Sequence, residues 1–151
     1  MLHRESGKLP FAALAIAALL GAAVSQAEEG SALLTVAVDG LEAEGPSVYI
    51  SVYTDADSWL GDTVVARGRV NPAEGSFSTA ITLPPGRYAF TAYLDVNGNG
   101  KLDSNFIGIP KEPVALSNNA KARFGPPRFD DAVFELSAEG VTQTIRLAVP
   151  E

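Results

Sequence analysis

The sequence predicts an all-β fold, an antiparallel β-sandwich of about seven short strands. From residue 32 onward, apolar residues recur with a period of two, which is typical of strands with one buried face. Turn-forming Gly and Pro, 14 and 10 of the 151 residues, separate these runs. No convincing helical period interrupts the pattern. The length suits a single domain, so any function depends on one core and its loops.

The alternation defines the strand candidates in order. The predicted inward faces are Leu34, Val36 and Val38; Val48, Ile50 and Val52; Phe77, Thr79, Ile81 and Leu83; Tyr88, Phe90, Ala92 and Leu94; Ala132, Phe134 and Leu136; and Ile145, Leu147 and Val149. Residues 64–70 are a weaker strand candidate, and residues 55–60 are compatible with one helical turn. Residues 97–128 show little alternation, so a long loop is predicted there, and long loops in compact domains are usually functional or disordered.

The first 27 residues have the three-part layout of a secretory signal peptide. Arg4 and Lys8 precede the apolar residues 9–24, and small residues at Ser25 and Ala27 mark a cleavage site. The apolar run is shorter than the roughly 20 residues that span a bilayer. We expect cleavage after Ala27, a single domain over residues 28–151, no further transmembrane segment, and a periplasmic or secreted product.

Composition excludes several function classes. The chain has 11 Lys and Arg against 18 Asp and Glu, a formal net charge of -7, which disfavours nucleic acid as a partner. It has no Cys, and its single His is His3, inside the predicted leader. Thiol catalysis, zinc–thiolate sites and imidazole catalysis are therefore excluded from the mature chain. We expect a protein that is not an enzyme, with an unknown envelope or extracellular partner.

Residues 95–103 match the start of a calcium-binding loop. Oxygen-bearing residues stand at positions 1, 3, 5, 7 and 9, with the main-chain carbonyl as the ligand at position 7: Asp95, Asn97, Asn99, Lys101 and Asp103. A hard cation takes about six to eight oxygens, so the chain must coil tightly, and Gly100 permits the sharp turn.

The match departs at position 12, where Phe106 replaces the expected bidentate Glu. Further oxygens would have to come from Asn105, Glu112, another loop or water. With two carboxylates in the loop, we expect a Kd for calcium on the order of 10⁻⁴–10⁻³ M. The alternative is that Asp95, Asn97 and Asn99 make Asx-turns in a Gly-rich connection without any ion.

Three motifs carry a family resemblance. They are residues 83–88, Leu-Pro-Pro-Gly-Arg-Tyr; residues 95–112; and Ser117-Asn118-Asn119-Ala120 with residues 124–129. Together they resemble the DUF2141 family of secreted bacterial proteins, whose function is unknown. The first motif is also similar to transthyretin-like (prealbumin-like) sandwiches. The resemblance covers most of residues 28–151 and implies an exported transthyretin-like or Ig-like sandwich, with no activity attached.

Two other functions are compatible with the sequence. A carboxylate-only hydrolase would draw its acid and base from Asp95, Asp103 and Glu112, about 5–9.5 Å apart. A carbohydrate-binding module would use an aromatic platform drawn from Trp59, Tyr49, Tyr53 and Tyr93.

Several polar residues of the long loop have two possible roles. Ser117, Asn118 and Asn119 either contact a ligand or satisfy backbone groups of the loop. The basic residues Lys121, Arg123 and Arg128 either dock an acidic partner or pair with the neighbouring Asp130 and Asp131.

Overall fold

The computed structural model describes residues 30–150, and within them it contains eight strands and one short α-helix. The elements are β1 (Ala32–Asp39), β2 (Val48–Tyr53), β3 (Ala66–Val70), β4 (Ser78–Leu83), β5 (Gly86–Leu94), β6 (Val114–Leu116), α1 (Phe129–Ala132), β7 (Phe134–Leu136) and β8 (Val141–Arg146). Single 3-10 turns lie at Pro72–Glu74 and Ser117–Asn119. The predicted leader and its cleavage site lie outside the described residues.

The strands form two sheets that pack face to face. One has three strands in the order β4-β1-β8; the other has five, in the order β3-β2-β5-β6, with β7 also paired to β5. The predicted β-sandwich is confirmed, with one difference, because β1 and β8 run parallel in a register that pairs Leu34 with Val141. The alternation of side chains is the same in parallel and antiparallel strands, so the sequence pattern does not reveal which partner β8 takes.

The predicted inward faces supply most of the core between the sheets. Leu34, Val48 and Phe90 are fully buried, and their neighbours two residues along each strand are buried as well. Phe77 and Val149 are exceptions, with 42% and 54% of their surface exposed, because they lie just outside β4 and β8. The described residues therefore form two layers packed around one core.

The motif at residues 83–88 closes the turn into β5. The Tyr88 hydroxyl donates a 2.7 Å hydrogen bond to the Pro84 carbonyl. This contact ties the tyrosine to the start of its own strand, and burial raises the pKa of Tyr88. The motif thus has a structural role.

The stretch predicted as one long loop is more ordered than expected. It contains β6, the 3-10 turn at Ser117–Asn119 and an isolated bridge between Ser104 and Pro110. β6 consists of three consecutive apolar residues, Val-Ala-Leu, without alternation, which is why the period-two pattern did not predict it. Residues 55–60 form turns, in which the Asp55 carboxylate accepts the Ser58 N–H at 2.8 Å. Among residues 30–150 there is no helix with the length and hydropathy to span a bilayer.

Gly140 fixes the turn that leads into the parallel strand β8. Its φ is +81°, and a Cβ added there would lie 2.8 Å from the Leu33 carbonyl oxygen. Gly40 has nearly the same φ, +79°, with open space around it. A substitution at Gly40 therefore tests the cost of a positive φ alone. A substitution at Gly140 tests that cost together with the steric contact against β1.

We predict that Gly40→Ala lowers the free energy of unfolding by about 1–2 kcal/mol, the cost of a left-handed non-Gly residue. Gly140→Ala should lower the free energy of unfolding by about 1–3 kcal/mol more than Gly40→Ala does, because the backbone of β1 must move. Urea unfolding of residues 28–151 measures both values. Equal losses would contradict the close packing of this turn against β1.

Candidate functional site

The loop of residues 95–103 begins where β5 ends, and Asp95 holds it in place. The Asp95 N–H donates to the Ser47 carbonyl at 2.9 Å, which fixes the start of the loop against β2. Asp95 is 4% exposed, and its carboxylate accepts the N–H groups of Asn99 and Gly100, at 3.1 and 2.9 Å. Gly100, with φ +72°, supplies the sharp turn expected at this position. One buried side chain therefore organises the first half of the loop.

The other predicted side-chain ligands converge above this turn. The Nδ2 groups of Asn97 and Asn99 donate to Asp103 Oδ2 at 2.6 and 2.9 Å. Their Oδ1 atoms accept backbone N–H groups two residues further on, from Asn99 and Lys101. Residues 97, 99 and 103 thus contact one another, as a coiled ion-binding loop requires, and they make the Asx-turns of the alternative interpretation as well.

Glu112 closes the loop from its far side. It is 5% exposed, and its two carboxylate oxygens accept the N–H groups of Val96 and Asp103 at 2.9 and 3.0 Å. Glu112 therefore connects both ends of the loop to the strand that follows. The sequence allowed an ion ligand, an acid or a solvated side chain; burial contradicts the last, and the structure gives this side chain a bracing role.

Asn105 lies in a hairpin of residues 104–110, which we call the tip hairpin and whose ends, Ser104 and Pro110, form a bridge. Its Oδ1 accepts the N–H groups of Ile107 and Ile109 at 3.0 and 2.9 Å. Its backbone N–H donates to the Ile109 carbonyl at 2.8 Å. The predicted additional ligand thus has its side-chain oxygen directed at the turn of the tip hairpin.

Ser117 supplies a hydrogen bond to β5 at the point where neither β6 nor β7 pairs with it. β7 pairs with residues 86–88 and β6 with residues 91–93, which leaves Phe90 between them. The buried Ser117 hydroxyl accepts the Phe90 N–H at 3.0 Å and donates to the Ala132 carbonyl at 2.5 Å. The side chain therefore serves the sheet.

Asn118 and Asn119 attach this segment to β8. Asn118 donates to the Val133 carbonyl at 2.8 Å and exchanges hydrogen bonds with Gln143. Asn119 donates to the Thr144 carbonyl at 2.9 Å, and its Oδ1 accepts from the Arg146 N–H at 3.1 Å. Of the two roles that the sequence allowed, these contacts match the structural one.

Trp59 and Tyr53 lie in a small second core, packed with Phe129 around Ala89. The Trp59 Nε1–H donates to the Pro127 carbonyl at 2.8 Å, and the Tyr53 hydroxyl donates to a loop carbonyl at 3.2 Å. Both aromatic residues therefore cover the outer face of the larger sheet, and neither forms an open platform.

Tyr49 and Tyr93 stack across strands, with ring centroids 5.6 Å apart. The Arg69 guanidinium lies 5.7 Å from the Tyr49 centroid, on the neighbouring strand β3. Tyr49 thus has a partner on each side, whereas a sugar platform needs rings side by side. Burial raises the pKa of Tyr93, and the negative charges of Asp95 and Glu112 raise it further.

Sequence reasoning missed the two arginines of β3. Arg67 and Arg69 lie two residues apart on one exposed face, near Tyr49 and Tyr93, and contact Ser51 and Ser47. The two-residue spacing of Arg67 and Arg69 is the sequence signal that could have identified this exposed face. Short edge strands often carry such positive charges, however, so the signal is weak. Within residues 30–150, the single ion pair joins Arg128 to Asp130 at 3.4 Å on the exposed surface, where it contributes little stability.

The donor set suits a weakly bound hard cation. The loop offers the Asp95 and Asp103 carboxylates, two side-chain amide oxygens and the Lys101 carbonyl. No group of three or more His, Cys, Asp or Glu side chains in the described part of the chain is placed to hold a metal. A cation at this site would therefore depend on amide and main-chain oxygens, which favours calcium over transition metals.

We predict that Glu112→Gln lowers the free energy of unfolding by about 1–3 kcal/mol. The substitution replaces one acceptor oxygen by an NH₂ group that cannot accept from the Val96 or Asp103 N–H. Urea unfolding measures the loss.

The control is Glu74→Gln, at an exposed position, which should change stability by no more than about 0.5 kcal/mol. Equal stability of the two variants would contradict the bracing role of Glu112.

Comparison with known proteins gives one finding. No curated protein and no solved structure matches this chain. The sequence model of the DUF2141 family, described as an uncharacterized protein conserved in bacteria, matches residues 36–144. That range begins inside β1, ends inside β8 and includes the loop of residues 95–103, Glu112 and the tip hairpin. The chain belongs to the DUF2141 family of uncharacterized bacterial proteins.

Proposed function

We propose that this protein is a non-enzymatic binding module of the bacterial cell envelope, exported by its N-terminal leader. The loop of residues 95–103 would bind a calcium ion weakly and hold the tip hairpin in a fixed position for a partner. The convergence of Asn97, Asn99 and Asp103 above the buried Asp95 carboxylate carries this proposal. Export rests on the signal-peptide pattern of residues 1–27.

The hydrogen bonding of the acidic residues supports a binding role over a hydrolytic one. Asp95 and Glu112 are buried, and each already accepts two backbone N–H groups. Asp103 accepts two side-chain amides. A general acid or base must be free to exchange a proton with substrate, whereas these carboxylates hold the loop together.

Calcium fits this loop because its side chains are already gathered. Asp95 fixes the turn, and Asp103 lies within hydrogen-bond distance of both asparagine side chains. The ion would replace the amide donors around Asp103 and take oxygen ligands from the same residues. Little backbone ordering would remain to oppose binding, while the small number of carboxylates keeps the affinity low.

Calcium titration of residues 28–151 by calorimetry tests the proposal. We expect saturable binding with a Kd on the order of 10⁻⁴–10⁻³ M. Because the ion binds the folded state, calcium at about ten times its Kd should stabilise the protein by about 1.4 kcal/mol and raise Tm. Asp103→Asn removes a ligand charge and should weaken binding at least tenfold.

Asp62→Asn, at an exposed position in another loop, is the charge-matched control and should bind calcium like the unmodified protein. Absence of heat and of any Tm shift at about 10 mM calcium, well above the expected Kd, would reject the ion site. Equal binding by both variants would place the ion elsewhere.

A further inference from the structure

The tip hairpin exposes apolar side chains on an ordered backbone. Phe106 is 99% exposed and Ile107 is 64% exposed. The backbone that carries them is held by hydrogen bonds: Asn105 Oδ1 accepts the Ile107 and Ile109 N–H groups, and Ser104 forms a bridge with Pro110. Adjacent large apolar residues held in water in this way mark an interaction surface.

The exposed charged side chains next to the tip hairpin are positive. Lys101 and Lys111 flank the tip hairpin and are exposed, whereas Asp95 and Glu112 are buried. Asp103 is half-buried and lies beneath two asparagine amides. The formal charge of these five residues is -1, so one bound calcium ion would change it to +1. The chain as a whole has a net charge of -7, and without calcium these five residues are net negative as well; the exposed charges among them are those of the two lysines.

We propose that the tip hairpin docks onto the surface of an anionic lipid bilayer. Phe106 and Ile107 would enter the interface, with Lys101 and Lys111 reaching lipid phosphates. Because Phe106 and Ile107 are already exposed, neither side chain has to leave the protein core to enter a fluid interface. The acidic remainder of the protein is repelled by the same surface, which would leave the tip hairpin as the point of contact. The effect of calcium rests on the proposed function; the apolar contact does not.

Co-sedimentation with phospholipid vesicles tests this inference. The sample is residues 28–151, which contain all of the described fold and omit the apolar leader. Vesicles of phosphatidylglycerol and phosphatidylcholine are compared with pure phosphatidylcholine, each with calcium and with chelator. We expect binding to the anionic vesicles, strengthened by calcium.

The double variant Phe106→Ser, Ile107→Ser should lower the partition coefficient at least tenfold, since two exposed apolar side chains are lost. Phe124→Ser is the matched control, because Phe124 is also fully exposed but lies outside the tip hairpin. It should bind like the unmodified protein. All these positions are exposed, so the variants should keep the Tm of the unmodified protein.

The outcomes separate this inference from the proposed function. If calorimetry detects calcium binding but the protein does not bind vesicles, the lipid inference is overturned and the calcium site is supported. Vesicle binding that Phe106→Ser, Ile107→Ser and Phe124→Ser reduce equally would also overturn it. Vesicle binding that depends on Phe106 and Ile107 without any calcium heat would support the inference and reject the calcium site.

Discussion

Two buried carboxylates determine how the loop at residues 95–112 is built on this sandwich. Asp95 lies at the end of β5 and Glu112 shortly before β6, and both are almost fully removed from solvent. Buried charges are tolerated only when hydrogen bonds replace water. Here four backbone hydrogen bonds do so, and all four donors belong to the chain between the two acids. The loop must therefore fold back on both carboxylates.

This constraint explains how a loop outside the main core has a defined shape. Loops with few buried apolar contacts usually open easily. In this loop the side chains of Asn97, Asn99 and Asp103 take the place of apolar contacts by bonding to each other and to backbone. The tip hairpin therefore starts from a fixed base, which the proposed contact with a partner requires. Membership of the DUF2141 family adds no activity, so the chemistry of these residues is the main guide to function.

The sequence predicted those features that depend on local pattern. Alternation identified the core faces, for instance Leu34 and Val36 in β1, and the oxygen spacing identified the loop at residues 95–103. It did not predict features that depend on long-range contacts. The parallel pairing of β8 leaves no trace in a period of two, and the buried position of Glu112, between Lys111 and Pro113, is set by the returning loop. The sequence also did not predict how Trp59 is placed, because its Nε1–H donates to the carbonyl of Pro127, which is far away in the chain.

Amide hydrogen exchange of residues 28–151, measured by NMR without calcium, tests the central claim most directly. The four N–H groups bonded to the buried carboxylates belong to Val96, Asn99, Gly100 and Asp103. If the carboxylates organise the loop, these amides exchange much more slowly than that of Gly98, whose 3.4 Å bond to the Asp95 carbonyl is long. Exchange of all five amides at the rate of an unstructured chain would contradict the account.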